Sequence, residues 1–214
     1  MTIFYSQCKE DEILLDRFFE GHTNGTFIEM GALDGILYSN TKFFEDHLGW
    51  TGILIEPNPI QFEKLQVNRP KCKNFNSLVS DSEVELDYKF FHEVHAAVSG
   101  VELTLPSSHN DIYFDNHPEL NQTSIKIKPR KLTDIVKESE FDNIDFFSLD
   151  VEGHELQVLR SYDFSIPIKL ILIENNPSSF ECDKLLVEKG YVFMENCAHN
   201  KIYVHKNFLS INLK

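Results

Sequence analysis

Short apolar runs punctuated by glycine, proline and asparagine recur along the chain. Between them lie stretches whose apolar residues fall at helical spacing. Ile13, Leu14 and Phe18 follow that spacing and Gly21 stops it, which predicts a helix over roughly residues 9–20. Thr26–Gly31 and Gly52–Pro57 read as buried strands, with a helix between them over Ser39–Leu48. Asn58-Pro59 starts the next helix, because Asn caps free amides and Pro fits a first turn. A third strand is predicted over Asn74–Ser80, and the partial alternation of 84–91 would extend it as a hairpin. Residues 92–123 hold four of the nine histidines among Ser, Asn, Asp and Pro, and read as an insertion or lid. Regular pattern resumes with a strand over Ser124–Lys128 and a helix using Leu132, Ile135 and Val136. Strands at Ile144–Asp150 and Ile168–Asn175 each precede a helix, and Tyr191–Cys197 with Lys201–His205 closes the chain. This alternation predicts an α/β, doubly wound (Rossmann-like) sheet, mostly parallel, with an antiparallel C-terminal hairpin strand. A single domain over 1–214 is expected.

Composition narrows the partners. An apolar content of 42% supports a real core, and the net charge of −14 repels phosphate backbones, so nucleic acid is not expected as a partner. The basic stretch Lys126, Lys128, Arg130, Lys131 is short and reads as a solvated strand end. Cys8, Cys72, Cys182 and Cys197 lack zinc spacing and read as free thiols in a reducing compartment. The acidic N-terminus has no signal-peptide pattern and no run spans a bilayer, so a soluble cytoplasmic protein without a membrane partner is expected.

In open parallel sheets ligands bind beyond the carboxyl ends of the strands. The first such end reads Glu29-Met30-Gly31-Ala32-Leu33-Asp34-Gly35, and the second ends in Glu56, placed to accept ribose hydroxyls. The glycines form G-x-x-x-G, not the pyrophosphate pattern G-x-G-x-x-G, and Asp34 would repel a diphosphate. Carboxylates here suit S-adenosylmethionine, a cationic nucleoside without phosphate, better than a nicotinamide cofactor. A dehydrogenase on a similar fold is the disfavoured alternative.

These segments resemble the FkbM family of methyltransferases. The match runs through Phe27–Gly35, Ser39-Asn40-Thr41 and Gly52–Asn58, and resumes at Phe147-Ser148-Leu149-Asp150-Val151-Glu152-Gly153-His154-Glu155. Tyr5-Ser6-Gln7 with Glu10-Asp11 also resembles the family's start. The resemblance implies a class I methyltransferase fold, S-adenosylmethionine as cofactor and O-methylation of a sugar or glycan acceptor. A polyketide-like acceptor and a catalytically silent cofactor-binding module stay open. By this resemblance Glu29, Gly31 and Asp34 lie near the methionine part of the cofactor and Glu56 near the ribose, with Gly35 and Pro57 also among the cofactor-binding residues. Ser80 and Asp81 would flank the adenine. Gln7, Ser39 and Asn40 are candidates for the cofactor carboxylate, and Asp150 with Val151 completes the set.

A hydroxyl nucleophile must lose a proton, so a positioned base is expected. His154 is the leading candidate, with Asp150 and Glu152 beside it. Asp150, Glu174 and Asn175 offer oxygen ligands that would suit Mg²⁺. His92-x-x-His95 is a weaker metal pair, and Trp50 with Phe43 and Phe44 reads as core.

Overall fold

The long apolar runs lie side by side at the centre of a seven-stranded sheet. The computed structural model describes residues 3–176 and 179–209. In chain order the strands are β1 (Thr26–Met30), β2 (Thr51–Ile55), β3 (Lys73–Phe75), β4 (Leu86–Phe91), β5 (Gly100–Val101), β6 (Gln122–Ile127), β7 (Ile144–Leu149), β8 (Ile168–Glu174), β9 (Tyr191–Cys197) and β10 (Asn200–His205). The helices are α1 (Glu10–Phe18), α2 (Lys42–Leu48), α3 (Pro59–Asn68), α4 (Ser107–His109), α5 (Leu132–Ser139), α6 (Glu155–Arg160) and α7 (Ser179–Glu188). No described helix is long and apolar enough to cross a membrane.

The main sheet runs β3-β2-β1-β7-β8-β10-β9, with β10 antiparallel to both neighbours and the rest of the pairings parallel. This is the class I methyltransferase arrangement, and the expected antiparallel hairpin strand is β10. Both faces are covered because the strand residues alternate. Phe27, Leu54, Phe146, Leu170 and Leu172 face a core with Leu14, Phe43, Phe44, Trp50 and Leu65. Ile28, Ile53, Phe147, Ile171 and Ile173 face the other, with Leu132, Ile135, Val158, Leu159 and Leu186. A period of two in the strands thus meets helices from the first half of the chain on one side and from the second half on the other.

Three expectations change. The third strand stops at Phe75, well short of Ser80. The next ten residues are rich in side chains that bond nearby backbone: Asn76 Nδ2 donates to the Glu56 carbonyl, and Ser80 Oγ and Ser82 Oγ accept the amides of Ser82 and Val84. Such local bonds compete with a ladder. Residues 86–91 do form a strand, but they extend no hairpin with β3; β4 pairs antiparallel with β6 and β5 in a separate three-stranded sheet. Helix α2 begins at Lys42, because Ser39–Thr41 is tied to Glu29 as described below.

The stretch 92–123 is ordered. It holds a 3₁₀ turn at Ala96–Val98, strand β5, helix α4 and a π-helical turn at Asn110–Phe114. Phe91, Leu105 and Phe114 give it a small core, with the Phe91 and Phe114 rings stacked 4.3 Å apart.

Candidate functional site

Parallel strands end on the same side of a sheet, so the tips of β1, β2, β7 and β8 converge. Between them lies a cavity of about 220 Å³. Of the expected site residues, Gln7, Glu29, Gly31, Asn40, Glu56 and Pro57 line it, as do Asp150, Val151, Glu152, His154 and Glu174. Asp34, Gly35, Ser39, Ser80, Asp81 and Asn175 are not on its wall. Asp34 is occupied as a turn cap, its carboxylate accepting the amides of Ile36 and Leu37. A Cβ on Gly35 would meet Arg69 and Leu65, on the helix side of the loop. From the same segment as Ser80 and Asp81, it is Ser77, Leu78 and Val79 that line the cavity.

Gly31 has a structural reason to be glycine. Its φ is 80°, and a Cβ there would fall 2.0 Å from the Asp150 carbonyl oxygen. The β1 and β7 tips can cross this closely only without a side chain.

Glu29 is held by its own chain. Its oxygens accept from Ser39 Oγ at 2.8 Å, Thr41 Oγ1 at 2.7 Å and the Asn40 amide at 2.6 Å. Arg69, wholly buried, lies 3.6 Å away and also pairs with Glu45. Glu29 therefore anchors the 39–41 loop. The loop in turn presents Asn40, whose Nδ2 donates to Ser148 Oγ while its buried Oδ1 has no partner among the described residues.

Glu56 is buried at the β2 tip. Each oxygen accepts one backbone amide at 2.8 Å, from Leu33 and from Asn58. Burial pushes its carboxyl up to about 7, against the pull of those two bonds. Asn58 is the predicted cap of α3, accepting from the Ile60 and Gln61 amides.

The β7 and β8 tips carry the densest charge. One oxygen from each of Asp150, Glu155 and Glu174 lies within 4.8 Å of the others. Asp150 is exposed toward the cavity, yet the protein packed around it raises it well above the usual carboxylate range, and the carboxylates of Glu174, Glu152, Glu155 and Glu10 raise it further. Burial, then Glu152 and Glu155, push Glu174 up to about 7. This differs from the oxygen set expected for Mg²⁺. Asn175 is exposed, and it is Asn176 that bonds Glu155 and Glu174. Glu155 is itself occupied, accepting the amides of Val151 and Gly153.

His154, the expected base, caps no amide of α6. Its Nδ1 lies 3.0 Å from Thr104 Oγ1, and its buried Nε2 has no partner among the described residues. Burial drops its pKa to about 4, so the ring is neutral at pH 7 and a weak base. The His92/His95 pair is not formed. His92 stacks on Phe90 and bonds Thr123, while His95 lies 5.2 Å from the His117 ring.

Pattern reading missed several wall residues. Glu10 from α1, Tyr38, the run Ala96–Val101, His199 from the β9–β10 turn and Asn200 at the start of β10 all line the cavity. Glu10 is fixed by the Cys8 amide and Asn200 Nδ2. The wall thus carries six carboxylates, Glu10, Glu29, Glu56, Asp150, Glu152 and Glu174, with no lysine or arginine among the described residues. Such a cavity attracts a cationic ligand and rejects a phosphorylated one.

No curated protein matches the chain in sequence. Among solved structures, the METTL16 methyltransferase domain is similar at 11% identity and a TM-score of 0.48, covering 91% of this chain. The chain spans 64% of that domain. TrmK of M. capricolum, solved with S-adenosylhomocysteine, is 11% identical with a TM-score of 0.47 over 95% of this chain and 68% of its own. Fibrillarin of Aeropyrum pernix, solved with S-adenosylmethionine, is 10% identical with a TM-score of 0.44 over 85% of this chain and 66% of its own. A family model described as the methyltransferase FkbM domain matches residues 29–197, from near the end of β1 to the end of β9. The chain belongs to the FkbM methyltransferase family.

Proposed function

We propose that the chain binds S-adenosylmethionine in this cavity and transfers its methyl group to a hydroxyl of a sugar or glycan. The observation that carries the reading is the cavity wall, with its six carboxylates and no lysine or arginine among the described residues. The cofactor brings an ammonium, a sulfonium and no phosphate, so wall and ligand are complementary in charge. The free Oδ1 of Asn40 is an acceptor suited to the ammonium. Glu56 keeps spare lone pairs for ribose hydroxyls beside the two amides it already accepts. Leu78 and Val79 offer an apolar surface to a base ring.

The cofactor supplies an electrophilic methyl group; the chain supplies alignment and a proton acceptor. Alignment of a nucleophile is worth roughly 7–11 kcal/mol in favourable cases. Glu174, poised near 7, is better matched to take a hydroxyl proton than His154, which burial holds near 4. Glu152 stands beside the acceptor site, and neutral His154 offers Nε2 as a hydrogen-bond acceptor to the incoming hydroxyl.

The test is incubation with labelled S-adenosylmethionine and a panel of free sugars and glycosides. Label in a sugar, with the methyl on oxygen, supports the reading. Absence of S-adenosylhomocysteine binding in a calorimetric titration would overturn it.

A further inference from the structure

The insert touches three consecutive residues of the turn between β7 and α6. His109 Nε2 lies 2.8 Å from Glu152 Oε2. A Cβ on Gly153 would fall 2.5 Å from the Thr104 carbonyl oxygen, so backbone there seats directly on backbone. Thr104 Oγ1 then meets His154 Nδ1 at 3.0 Å. The turn needs such support. Glu152 has φ 54° and Gly153 φ 95°, and a non-glycine residue in the left-handed region persists only where its surroundings hold it.

The same insert supplies part of the cavity wall through Ala96–Val101. The contact between 104–109 and 152–154 therefore fastens this part of the cavity wall to the strand tips. It is not a solvated surface pair, since the His109 and Glu152 side chains are only 20% and 17% exposed. Glu152 faces the cavity, whereas His109 is absent from its wall and acts through Glu152. Glu152 and Glu174 both favour the charged imidazole, and the Tyr113 ring packs 5.7 Å from it. Each histidine at this contact has one bonded nitrogen and one buried nitrogen, His109 Nδ1 and His154 Nε2, without a partner among the described residues. An interface that tolerates two unmet polar atoms is easier to open than a fully satisfied one.

We propose that His109 is a positioning residue. By pairing with Glu152 it fixes that carboxylate at the cavity and clasps the 96–101 wall over a bound nucleoside, setting the nucleoside's residence time. This rests on the cofactor reading above.

The probe is S-adenosylhomocysteine, and the measurement is its dissociation rate from the immobilised full chain by surface plasmon resonance. His109→Ala and Glu152→Gln each speed release about tenfold, the scale of losing one partly buried charged hydrogen bond. The double variant releases no faster than either single one, because both remove the same contact. His109→Lys, which restores a cation, returns the rate to that of the parent protein. Unchanged release in His109→Ala, multiplying effects in the double variant, or failure of the lysine to rescue each overturn the proposal. His109→Gln, checked for an unaltered melting profile, keeps the test open if the alanine variant does not fold. A parent protein that fails to bind the probe overturns the cofactor reading and this proposal together; normal binding with unaltered release in the variants overturns this proposal alone.

Discussion

Replacing Glu174 by glutamine is expected to stabilise the protein while removing its activity. The carboxyl sits near 7 in the folded chain against an ordinary 4.5, because it is buried beside Glu152 and Glu155. A raised carboxyl value means that the folded state binds more protons than the unfolded state between those two values. Stability therefore falls as pH rises through that window, and the loss is complete above it. The interval corresponds to about 3 kcal/mol at pH 8. Glutamine removes the charge and keeps an oxygen for Asn176 Nδ2, which bonds Glu174 at 3.2 Å. His154 acts in the same window with the opposite sign. Its value is depressed from 6.5 to about 4, so its contribution is present above 6.5 and is lost as pH falls. The parent protein's stability curve is thus a sum of opposing slopes, and only the difference between variant and parent isolates Glu174. Urea unfolding at a series of pH values gives that difference. It is expected near zero at pH 4 and about 2–3 kcal/mol in favour of Glu174→Gln at pH 8. A difference that does not grow with pH would refute the assignment of strain to this carboxylate. Methyl transfer is expected to fall by about 10²–10⁴-fold in the same variant, with S-adenosylhomocysteine affinity changed far less.

Three further outcomes are expected. Gly31→Ala places a methyl against the Asp150 carbonyl at a positive φ, so the tips must part; a loss of at least about 3 kcal/mol by urea unfolding is expected, with weakened S-adenosylhomocysteine binding. Arg69→Met leaves Glu29 and Glu45 buried without their cation, which costs about 3–5 kcal/mol in the same assay and frees the 39–41 loop. Treatment with EDTA leaves methyl transfer unchanged, because Glu155 is occupied by the Val151 and Gly153 amides and Asn175 is exposed; a chelator-sensitive rate restored by Mg²⁺ would contradict this.

The parts of the fold that could be read in the sequence are those fixed by local pattern. Strands β1, β2, β7 and β8 are continuous apolar runs bounded by glycine, proline or a polar tip, and their observed ends lie within two residues of the reading. Helix α3 was marked by Asn58-Pro59, and Asn58 does cap it. Pattern says nothing about partners. The alternation of 86–91 identifies a strand, but its neighbour is 122–127, more than thirty residues later, and no local signal names it. The insert escaped assignment for a related reason. Its elements are two to five residues long, and what orders them is the Phe91, Leu105 and Phe114 contact.

The same division holds at the site. Residues at strand tips were legible because topology alone brings the tips together. What each side chain is already bound to was not. Glu29 looked free to meet a cofactor, yet Ser39, Asn40 and Thr41 donate to it, and the buried cation beside it comes from Arg69 on the far end of α3. The ordinary pKa of a histidine suits His154 to a base's role, and burial removes it.

The acidity of the site links these observations. Glu56, Asp150 and Glu174 all have raised values in the folded chain, so each is less stable as a carboxylate there than in water. A fold optimised for stability alone would have no reason to bring such groups to one cavity. A positively charged ligand would offset part of the cost of holding these buried groups as carboxylates, and would offset the repulsion at Asp150 and Glu174 as well. On the proposed reading, the unfavourable burial of these carboxylates favours a sulfonium over its neutral thioether product. That preference needs the carboxylates to converge, which the shared ends of β1, β2, β7 and β8 accomplish, and it needs no phosphate-binding glycine loop.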